Sequence, residues 1–306
     1  MSRFKQLESF VSVATKGSLT AAARVEGVAP GIMGRRIDSL EERLGVKLLV
    51  RTTRRVTLTN EGLSFLDDCQ RLLNDLTNSE ESVSKGRTTA SGHLRITAPA
   101  GFGRRHVAPL IPIFRKKNPS VTISLNLSDR VLDLNTEGFD CAVRLGEMPD
   151  SSLVGVRLAD NRRRCVASPE YIKANGYPLH PLELLKRECL TMSNDSSQNR
   201  GWLFQIPKGD DVELIHVKPT GSMSCSDGEV LHDWCLSGLG IAWRSTWEVE
   251  AEIRSGRLVA LLEKFDTPAN GIHAVFPHAR HLPLRVRLWI DFLKEQYSQS
   301  NFWKVY

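Results

Sequence analysis

Three short amphipathic segments separated by glycines occupy the first 45 residues, and this pattern limits the fold of the chain more than any other feature. Apolar residues recur at helical spacing over residues 4–14, and Gly17 follows as a stop signal. Ser18 is a suitable N-cap for a second helix over Leu19–Val25. Segments this short bury their apolar faces only by packing together, so the sequence predicts a small helical unit here.

A third helix is predicted to begin at Pro30 and to end at Gly45. Its apolar residues predict one buried stripe: Met33, Ile37, Leu40 and Leu44. The opposite face carries Gly31, Gly34, Arg35 and Asp38. Two glycines inside a helix each cost about 1 kcal/mol relative to alanine, which indicates that something approaches the backbone closely. Because Arg35 and Arg36 can donate to phosphate or guanine, the pattern predicts a helix-turn-helix whose second helix enters the major groove.

The segment after Gly45 predicts a β-hairpin with a basic tip. Two β-prone arms within residues 46–59 flank this tip, and its arginines are Arg51, Arg54 and Arg55. We expect these arginines to lie against phosphates or in the minor groove, as the wing of a winged helix-turn-helix does. A purely solubilising surface is the alternative, but three independent features favour the same DNA-binding interpretation.

The net charge is concentrated in the first sixty residues. They hold 11 Lys and Arg against 5 Asp and Glu, which accounts for the whole net charge of +6, and the rest of the chain is balanced. A small basic module on a neutral body is typical of a polyanion-binding unit joined to a second functional unit. Charge alone leaves open a solvated basic surface without a partner.

Residues 61–88 predict one long amphipathic helix. A heptad-like seam runs through Phe65, Cys69, Leu72 and Leu76. At 1.5 Å per residue such a helix is roughly 40 Å long, and its leucines stay in water unless a second helix covers them. The seam therefore predicts a dimer, in which we expect Cys69 to be packed rather than redox-active. Residues 85–92 predict a flexible hinge.

From residue 93 onward, predicted strands and helices alternate. Strands are predicted over residues 93–98, 121–127, 140–145, 240–243 and 271–276, and a last helix begins near Leu284. The β-α-β-α-β run over residues 93–145 predicts a mainly parallel sheet, and the alternation as a whole predicts an α/β fold. The six cysteines lack metal-site spacing. In a cytoplasmic chain such cysteines are expected to be reduced thiols. The sequence shows neither 18 consecutive apolar residues nor an apolar leader, so we expect a cytoplasmic protein that does not contact membranes.

Three places in this body follow predicted strands or begin helices, where ligands of open α/β sheets bind. They contain Gly101 and Phe102, Ser128 and Asp129, and Ser226 and Asp227. We interpret residues 226–229 as a capping box. Helix starts suit a small anion, although capping alone would explain both serines. Because two aspartates lie there, we expect a small carboxylate or aromatic acid rather than a large polyanion.

The chain resembles the LysR-type transcriptional regulators over its whole length. The matching positions are Phe10, residues 17–23 (Gly-Ser-Leu-Thr-Ala-Ala-Ala), Val28, Ile37, residues 40–41, 44–45 and 48–49, Arg51, and residues 56–62 (Val-Thr-Leu-Thr-Asn-Glu-Gly). One departure concerns the third helix, where the family has an early serine and this chain reads Gly31-Ile32-Met33-Gly34. The missing hydroxyl contact predicts unusual base preferences.

The resemblance implies an α/β protein of three parts. These are a winged helix-turn-helix DNA-binding domain over residues 1–60, a linker (dimerisation) helix and hinge over 61–89, and a two-lobed, periplasmic-binding-protein-like effector domain over 90–306. Lobe I would comprise about 93–164 plus 270–306, and lobe II about 165–269, with a cleft between them. The implied DNA-binding residues are Ser18, Thr20, Pro30, Gly31, Gly34, Arg35, Arg36, Arg51, Arg54 and Arg55. The implied effector-binding residues are Ala100, Ser128, Arg144 and Asp227, in addition to Gly101, Phe102, Asp129 and Ser226.

The resemblance further implies a sequence-specific transcriptional regulator controlled by a small-molecule effector. Its implied partners are double-stranded DNA, that effector, RNA polymerase and further copies of the chain, as a homodimer or homotetramer. No cofactor or metal is expected, because His278 and His281 lack further ligands at suitable spacing. No nucleophile elbow, P-loop or dinucleotide fingerprint is present, so we do not expect an enzyme. The basic first sixty residues argue against a solute-binding protein, and a redox switch through Cys141, Cys225 or Cys235 stays open.

Overall fold

The computed structural model describes residues 2–51, 56–83, 89–130, 132–146, 153–193, 201–209, 211–266, 268–278, 282–299 and 302–304. The chain divides into two units, residues 1–88 and 89–306. No helix in the described ranges combines the length and the apolar character that crossing a membrane requires.

The first unit is helical and carries one hairpin. Its elements are α1 (Arg3–Lys16), α2 (Leu19–Val25), α3 (Pro30–Leu44), β1 (Leu49–Arg51), β2 (Val56–Leu58) and α4 (Asn60–Val83). Gly17 and Gly45 end α1 and α3 in the left-handed conformation, with φ of 63° and 72°. The Ser18 hydroxyl caps α2 by accepting a hydrogen bond from the Ala21 N–H. β1 and β2 pair antiparallel, so the helix boundaries and the hairpin agree with the sequence predictions.

The core of the first unit contains the predicted stripe of α3 with one exception. Met33, Ile37 and Leu40 are fully buried, whereas Leu44 is 36% exposed. The prediction that Leu44 belongs to the stripe is wrong, because α3 ends at this residue and Gly45 turns the chain away.

The predicted dimer seam of α4 is divided between two environments. Phe65 packs 5.7 Å from the ring of Phe10, and Cys69 is fully buried in the same core. The assignment of Cys69 to a dimer interface is therefore wrong, because it completes the core of its own unit, whereas Phe65 is only half-buried and its place in the seam stays a prediction. Leu72 is 48% exposed and Leu76 is half-buried, and Leu63 is also exposed. Residues 84–88 of the predicted helix lie outside the described residues.

The second unit contains two mixed sheets. The strands of the first are β3 (Gly92–Ala98), β4 (Val121–Leu127), β5 (Cys141–Leu145), β6 (Leu153–Asn161) and β14 (Asn270–Pro277), in the spatial order β4-β3-β5-β14-β6. The strands of the second are β7 (Arg163–Ala167), β8 (Cys189–Met192), β11 (Ser224–Cys225), β12 (Ile241–Ser245) and β13 (Val259–Leu261), in the order β11-β8-β12-β7-β13. A hairpin of β9 (Trp202–Lys208) and β10 (Asp211–Val217) accompanies them.

Helices cover these sheets. They are α5 (Ala100–Phe102), α6 (Leu110–Lys117), α7 (Leu134–Glu137), α8 (Pro169–Asn175), α9 (Gly228–Leu236), α10 (Thr246–Arg254) and α11 (Leu284–Ser298). A π-helical turn, Gly103–Val107, continues α5. Short 3-10 turns occupy Pro181–Lys186, Glu263–Phe265 and Phe302–Lys304. We call the parts built on the first and second sheet lobe I and lobe II.

The parallel pairing predicted for the run of strands over residues 93–145 is confirmed for β3, β4 and β5, although both complete sheets are mixed. In lobe I, β3 pairs parallel with β4 and β5, but β14 pairs antiparallel with β5 and β6. In lobe II, β8 pairs parallel with β11 and β12, but β7 pairs antiparallel with β12 and β13. The chain passes from lobe I to lobe II after β6 and returns as β14. The first strand after each crossing, β7 and then β14, runs opposite to the other strands of its sheet.

Candidate functional site

The outer face of α3, defined by Gly31, Gly34, Arg35 and Asp38, contributes nothing to the core of its unit. Gly31, Arg35 and Asp38 are exposed, and Gly34 is half-buried. A Cβ atom built on either glycine would meet no atom within 4 Å. The fold therefore does not explain why this helix carries two glycines. The face is open to close approach by another molecule.

Arg36 points away from this face. Its Nη1 lies 2.7 Å from Oε2 of Glu26 and 3.1 Å from the hydroxyl of Ser9, and its side chain is only 12% exposed. The ion pair joins α1, the turn after α2, and α3. The prediction that Arg36 contacts DNA is wrong, because its guanidinium is used inside the unit. Arg35, by contrast, has no carboxylate partner among the described residues.

The hairpin is fixed to α3 by the buried carboxylate of Glu41 and by an ion pair at the surface. Oε1 of Glu41 accepts hydrogen bonds from the N–H groups of Leu48 and Leu49, at 2.9 and 3.1 Å, and Oε2 lies 2.7 Å from Lys47 Nζ. Burial would raise the pKa of Glu41, but these three donors outweigh burial and lower it. Arg51 Nη2 lies 2.8 Å from Asp38 Oδ1, which ties β1 to the outer face of α3.

The other predicted DNA-binding residues differ in their exposure. Thr20 and Pro30 are exposed, and Ser18 is half-buried and already serves as the cap of α2. Arg54 and Arg55 lie outside the described residues. The starts of α2 and α3 are thus exposed at Thr20 and Pro30, in the same small unit as the wing strand β1.

A cleft in the second unit lies between the lobes, where β3, β4, β5, β8 and β12 end. The cavity volume is about 140 Å³. Lobe I contributes Pro99, Gly101, Phe102, Ser128, Asp129, Arg144 and Leu145, and lobe II contributes Arg163, Met192, Gly228, Glu229, Arg244, Ser245, Trp247 and Glu248. The lining thus includes five of the predicted effector-binding residues: Gly101, Phe102, Ser128, Asp129 and Arg144. Ala100, Ser226 and Asp227 do not line the cavity.

A buried ion pair forms the lobe II wall of the cleft. Arg244 Nε and Nη2 each lie 2.8 Å from one carboxylate oxygen of Glu248, and the two residues are 8% and 5% exposed. Burial disfavours the guanidinium charge, but the Glu248 carboxylate outweighs it and raises the pKa of Arg244. Sequence analysis missed this pair. Its only signal is a four-residue spacing at the junction of β12 and α10, which does not reveal burial.

Arg144 is a cleft cation without a carboxylate partner in the described part of the chain. Its Nη2 lies 3.5 Å from the carbonyl oxygen of Leu132, and no carboxylate lies within 4.0 Å of it among the described residues. Burial lowers the pKa of Arg144 below its ordinary value, although Glu137 acts in the opposite direction. A half-buried guanidinium in this situation gains most from an anion that enters the cleft.

The helix starts in the cleft are already occupied by carboxylates of the chain. Asp129 Oδ1 accepts a hydrogen bond from the Ala100 N–H at 2.8 Å. Asp227 Oδ1 accepts from the N–H groups of Glu229 and Val230, at 2.8 and 3.3 Å. The expected capping by Ser226 is wrong, because Ser226 is exposed and Asp227 occupies the N-cap position. The expectation that these N–H groups bind an effector anion is wrong for the same reason.

An aromatic contact joins the lobes beside the cleft. Trp247 of lobe II meets Phe102 and His106 of lobe I edge-on, with ring centroids 5.3 and 5.4 Å apart. Burial, and to a smaller extent Arg105, lowers the pKa of His106 to about 4, so the imidazole in this cluster is neutral at pH 7.

Comparison with known proteins identifies the family. Residues 4–63 match the family described as "Bacterial regulatory helix-turn-helix protein, lysR family", and residues 87–298 match "LysR substrate binding domain". The chain belongs to the LysR family of transcriptional regulators. It is therefore a DNA-binding transcriptional regulator with an effector-binding domain, and not an enzyme.

Relatives of this LysR-type regulator match it over nearly its whole length. The HTH-type transcriptional regulator DmlR of Escherichia coli (strain K12) is 36% identical over 293 residues, which cover 96% of this chain and 94% of the relative. The full-length structure of AphB, a Vibrio cholerae virulence activator, aligns with a TM-score of 0.59 at 29% identity, covering 97% of this chain and 100% of AphB. The structure of CrgA from Neisseria meningitidis aligns with a TM-score of 0.59 at 31% identity, covering 98% of this chain and 100% of CrgA.

The cysteines of this LysR-type regulator are poorly suited to redox sensing. Five of the six are buried, and Cys225 is half-buried. Burial raises the pKa of Cys141 and of Cys235 to about 12, which suppresses the reactive thiolate. The comparisons give the redox alternative no support either, so we do not retain it.

Proposed function

We propose that this LysR-type regulator binds specific DNA sequences through the outer face of α3, and that the cleft between its lobes binds a small carboxylate. The observation that carries the first statement is the pair of glycines, Gly31 and Gly34, on the outer face of α3, where a Cβ atom on either would meet no atom within 4 Å. Helical glycines without a packing role are explained by close approach to a partner, and the major groove admits such a helix.

The exposed groups around α3 have the chemistry that DNA binding requires. Arg35 is exposed and free of described carboxylates, so it can donate to a guanine edge or a phosphate. Thr20 and Pro30 lie at the exposed starts of α2 and α3, and Arg51 places the wing strand beside Asp38. We propose phosphate or minor-groove contacts for Arg54 and Arg55 from the sequence pattern.

Replacing Arg35 by alanine is expected to weaken specific binding by about 1–3 kcal/mol, or roughly 5- to 150-fold, if it reads a base. Sites are first selected from a random double-stranded DNA library with the full chain, and affinities are then measured by fluorescence anisotropy. Arg115→Ala removes another exposed arginine, from α6 of the second unit, and serves as the control. Equal affinity and an identical selected sequence for Arg35→Ala would remove α3 from the proposal.

The effector proposal depends on Arg144. This residue lines the cleft, is half-buried and has no described carboxylate partner, so a carboxylate of the effector supplies the missing charge. The hydroxyl of Ser128, which already accepts a hydrogen bond from the Arg130 N–H at 3.2 Å, also lines the cavity. The rings of Phe102 and Trp247 favour an apolar or aromatic remainder.

A thermal-unfolding screen of the full chain against small carboxylates and phenolic acids tests this proposal. We expect a ligand-dependent rise in melting temperature for the wild type, because a ligand of the folded state stabilises it. Arg144→Gln is expected to lose the rise, while Arg130→Gln, which removes a nearby exposed arginine outside the cavity lining, is expected to keep it. A rise of equal size in Arg144→Gln places the ligand elsewhere, and no rise with any acid rejects this effector class.

We further propose that the regulator works as a homodimer or homotetramer in the cytoplasm. The support within the chain is the exposed apolar part of α4, where Leu63 and Leu72 are 59% and 48% exposed. In this proposal residues 1–60 bind DNA, 61–89 link and pair the subunits, and 90–306 bind the effector. The effector prefers one arrangement of the subunits and thereby changes recruitment of RNA polymerase.

A further inference from the structure

An ion pair joins the outer face of α3 to the wing strand β1. Nη2 of Arg51 lies 2.8 Å from Oδ1 of Asp38 and 4.0 Å from Oε2 of the buried Glu41. Arg51 is also the last residue of β1, where it is paired with Val56 across the hairpin. The strand therefore holds the backbone of this arginine, and the carboxylates of α3 hold its guanidinium.

The pair lies on the surface of the unit. The side chains of Asp38 and Arg51 are 58% and 30% exposed. Asp38 follows Gly34 by four residues and Arg35 by three, so these positions share one face of the helix. An exposed ion pair adds little to the stability of a fold. The pair belongs to the face that we propose to contact DNA, and a role for it in DNA recognition rests on that proposed function.

The charge of Asp38 is unfavourable near the DNA backbone. A carboxylate repels phosphates, so an acidic side chain in a DNA-binding face weakens binding to every sequence. The base edges differ, because the amino groups of cytosine and adenine donate hydrogen bonds in the major groove. Asp38 therefore suits a position over base edges better than a position over phosphates.

The chemistry of Arg51 decides which base pair fits. A guanidinium has five N–H donors, so it can keep its contact with Asp38 and still donate to two further acceptors. In the major groove a C·G pair presents N7 and O6 of guanine side by side, followed by the amino group of cytosine. An A·T pair places its amino group between its two acceptors, so a guanidinium beside a carboxylate meets only one of them. An adjacent acid and base thus match a C·G pair.

We propose that Asp38 and Arg51 together read one C·G base pair: the Asp38 carboxylate accepts a hydrogen bond from N4 of cytosine, and the Arg51 guanidinium donates to O6 and N7 of guanine. The ion pair orients both groups before DNA is bound, which reduces the entropy lost on binding. The sequence pattern alone favours a phosphate or minor-groove contact for Arg51. A phosphate contact is separable by experiment, because it does not depend on the DNA sequence.

Affinities of the full chain for sites selected from a random double-stranded DNA library test the proposal. For the wild type, we expect replacement of one C·G pair by T·A to weaken binding roughly 10-fold or more. In Asp38→Ala the same replacement is expected to change the affinity by less than about twofold, while the effects at other positions of the site stay as in the wild type. Asp38→Ala is expected to fold as the wild type does, because the pair lies at the surface.

Modified bases at the identified pair separate the two contacts. N4-methylcytosine carries a methyl group in place of the amino hydrogen that faces the major groove, and 7-deazaguanine lacks the N7 acceptor. We expect each to weaken wild-type binding by about fivefold or more, since each removes a hydrogen bond to a charged group. N4-methylcytosine is expected to have little effect on Asp38→Ala, and 7-deazaguanine little effect on Arg51→Ala.

Asp68→Ala is the matched control, because it removes an exposed aspartate that pairs with Arg71 on α4 of the same unit. It is expected to leave the selected sequence and every base preference unchanged. The proposal is overturned if Asp38→Ala retains every base preference of the wild type, changes the affinity of all sites by the same factor, or loses a preference at an A·T pair. An effect of Arg35→Ala on the selected sequence would still support α3 as the helix that contacts DNA, so the two proposals fail separately.

Discussion

Replacing Glu248 by glutamine is expected to lower the free energy of unfolding of the second unit by about 3–5 kcal/mol. Glu248 is the bidentate partner of Arg244, and both side chains are buried, so the variant leaves a guanidinium in the interior without a compensating charge. Urea unfolding followed by tryptophan fluorescence measures this unit alone, because all six tryptophans lie at or beyond residue 202.

The same substitution at an exposed ion pair is the matched control. Glu263 lies 3.6 Å from Arg164, and its side chain is 62% exposed. Glu263→Gln is expected to change stability by less than about 1 kcal/mol, because water screens such pairs. If the two variants lose equal stability, the pair of Arg244 and Glu248 is not the buried support of the cleft that the structure indicates.

Replacing Gly62 by alanine is expected to destabilise the first unit by about 3 kcal/mol or more. The added Cβ would lie 2.0 Å from the carbonyl oxygen of Leu48. That oxygen also accepts a hydrogen bond from the Thr59 N–H at 3.0 Å, and the Leu48 N–H donates to Glu41. The Leu48 backbone is fixed from both sides and cannot move aside cheaply, so we expect loss of helical circular dichroism and of DNA binding on mild heating.

Gly31→Ala is the matched control for this clash, because its Cβ would meet no atom within 4 Å. It is expected to leave the first unit as stable or to stabilise it by up to about 1 kcal/mol, since alanine favours the helix. The tryptophan-monitored transition of the second unit is expected to be unchanged in both variants. Equal stability of Gly62→Ala and the wild type would contradict the packing of α4 on the start of β1.

The helical unit could be predicted largely from the sequence because local signals set its boundaries. Glycine favours the left-handed conformation that ends α1 at Gly17 and α3 at Gly45. Ser18 is a favourable N-cap for α2, and Pro30 suits the first turn of α3. Each of these preferences acts within a few residues of the helix boundary. The wrong assignments in this unit involve contacts between distant segments. Arg36 pairs with Glu26 across the turn, and the spacing of α4 does not reveal that Cys69 packs on α1.

The cleft was predicted only in part for the same reason. Strand ends locate Ser128 and Asp129, but no local pattern shows that Asp129 accepts a hydrogen bond from the distant Ala100 N–H. Ser226 lies at capping-box spacing from Glu229 in the sequence, yet the backbone places Asp227 at the N-cap. The burial of Arg244 and Glu248 depends on the packing of lobe II, which sequence spacing does not report.

Binding of a selected DNA site by the double variant Gly31→Ala, Gly34→Ala tests the central claim most directly. The two methyl groups meet nothing in the protein, so the fold is preserved or stabilised, while the outer face of α3 is pushed away from the groove. Our account predicts a melting temperature equal to or above that of the wild type together with an affinity at least about tenfold lower, or roughly 1.4 kcal/mol, in fluorescence anisotropy. Unchanged affinity and an unchanged footprint in the double variant would contradict the claim that this face of α3 contacts DNA.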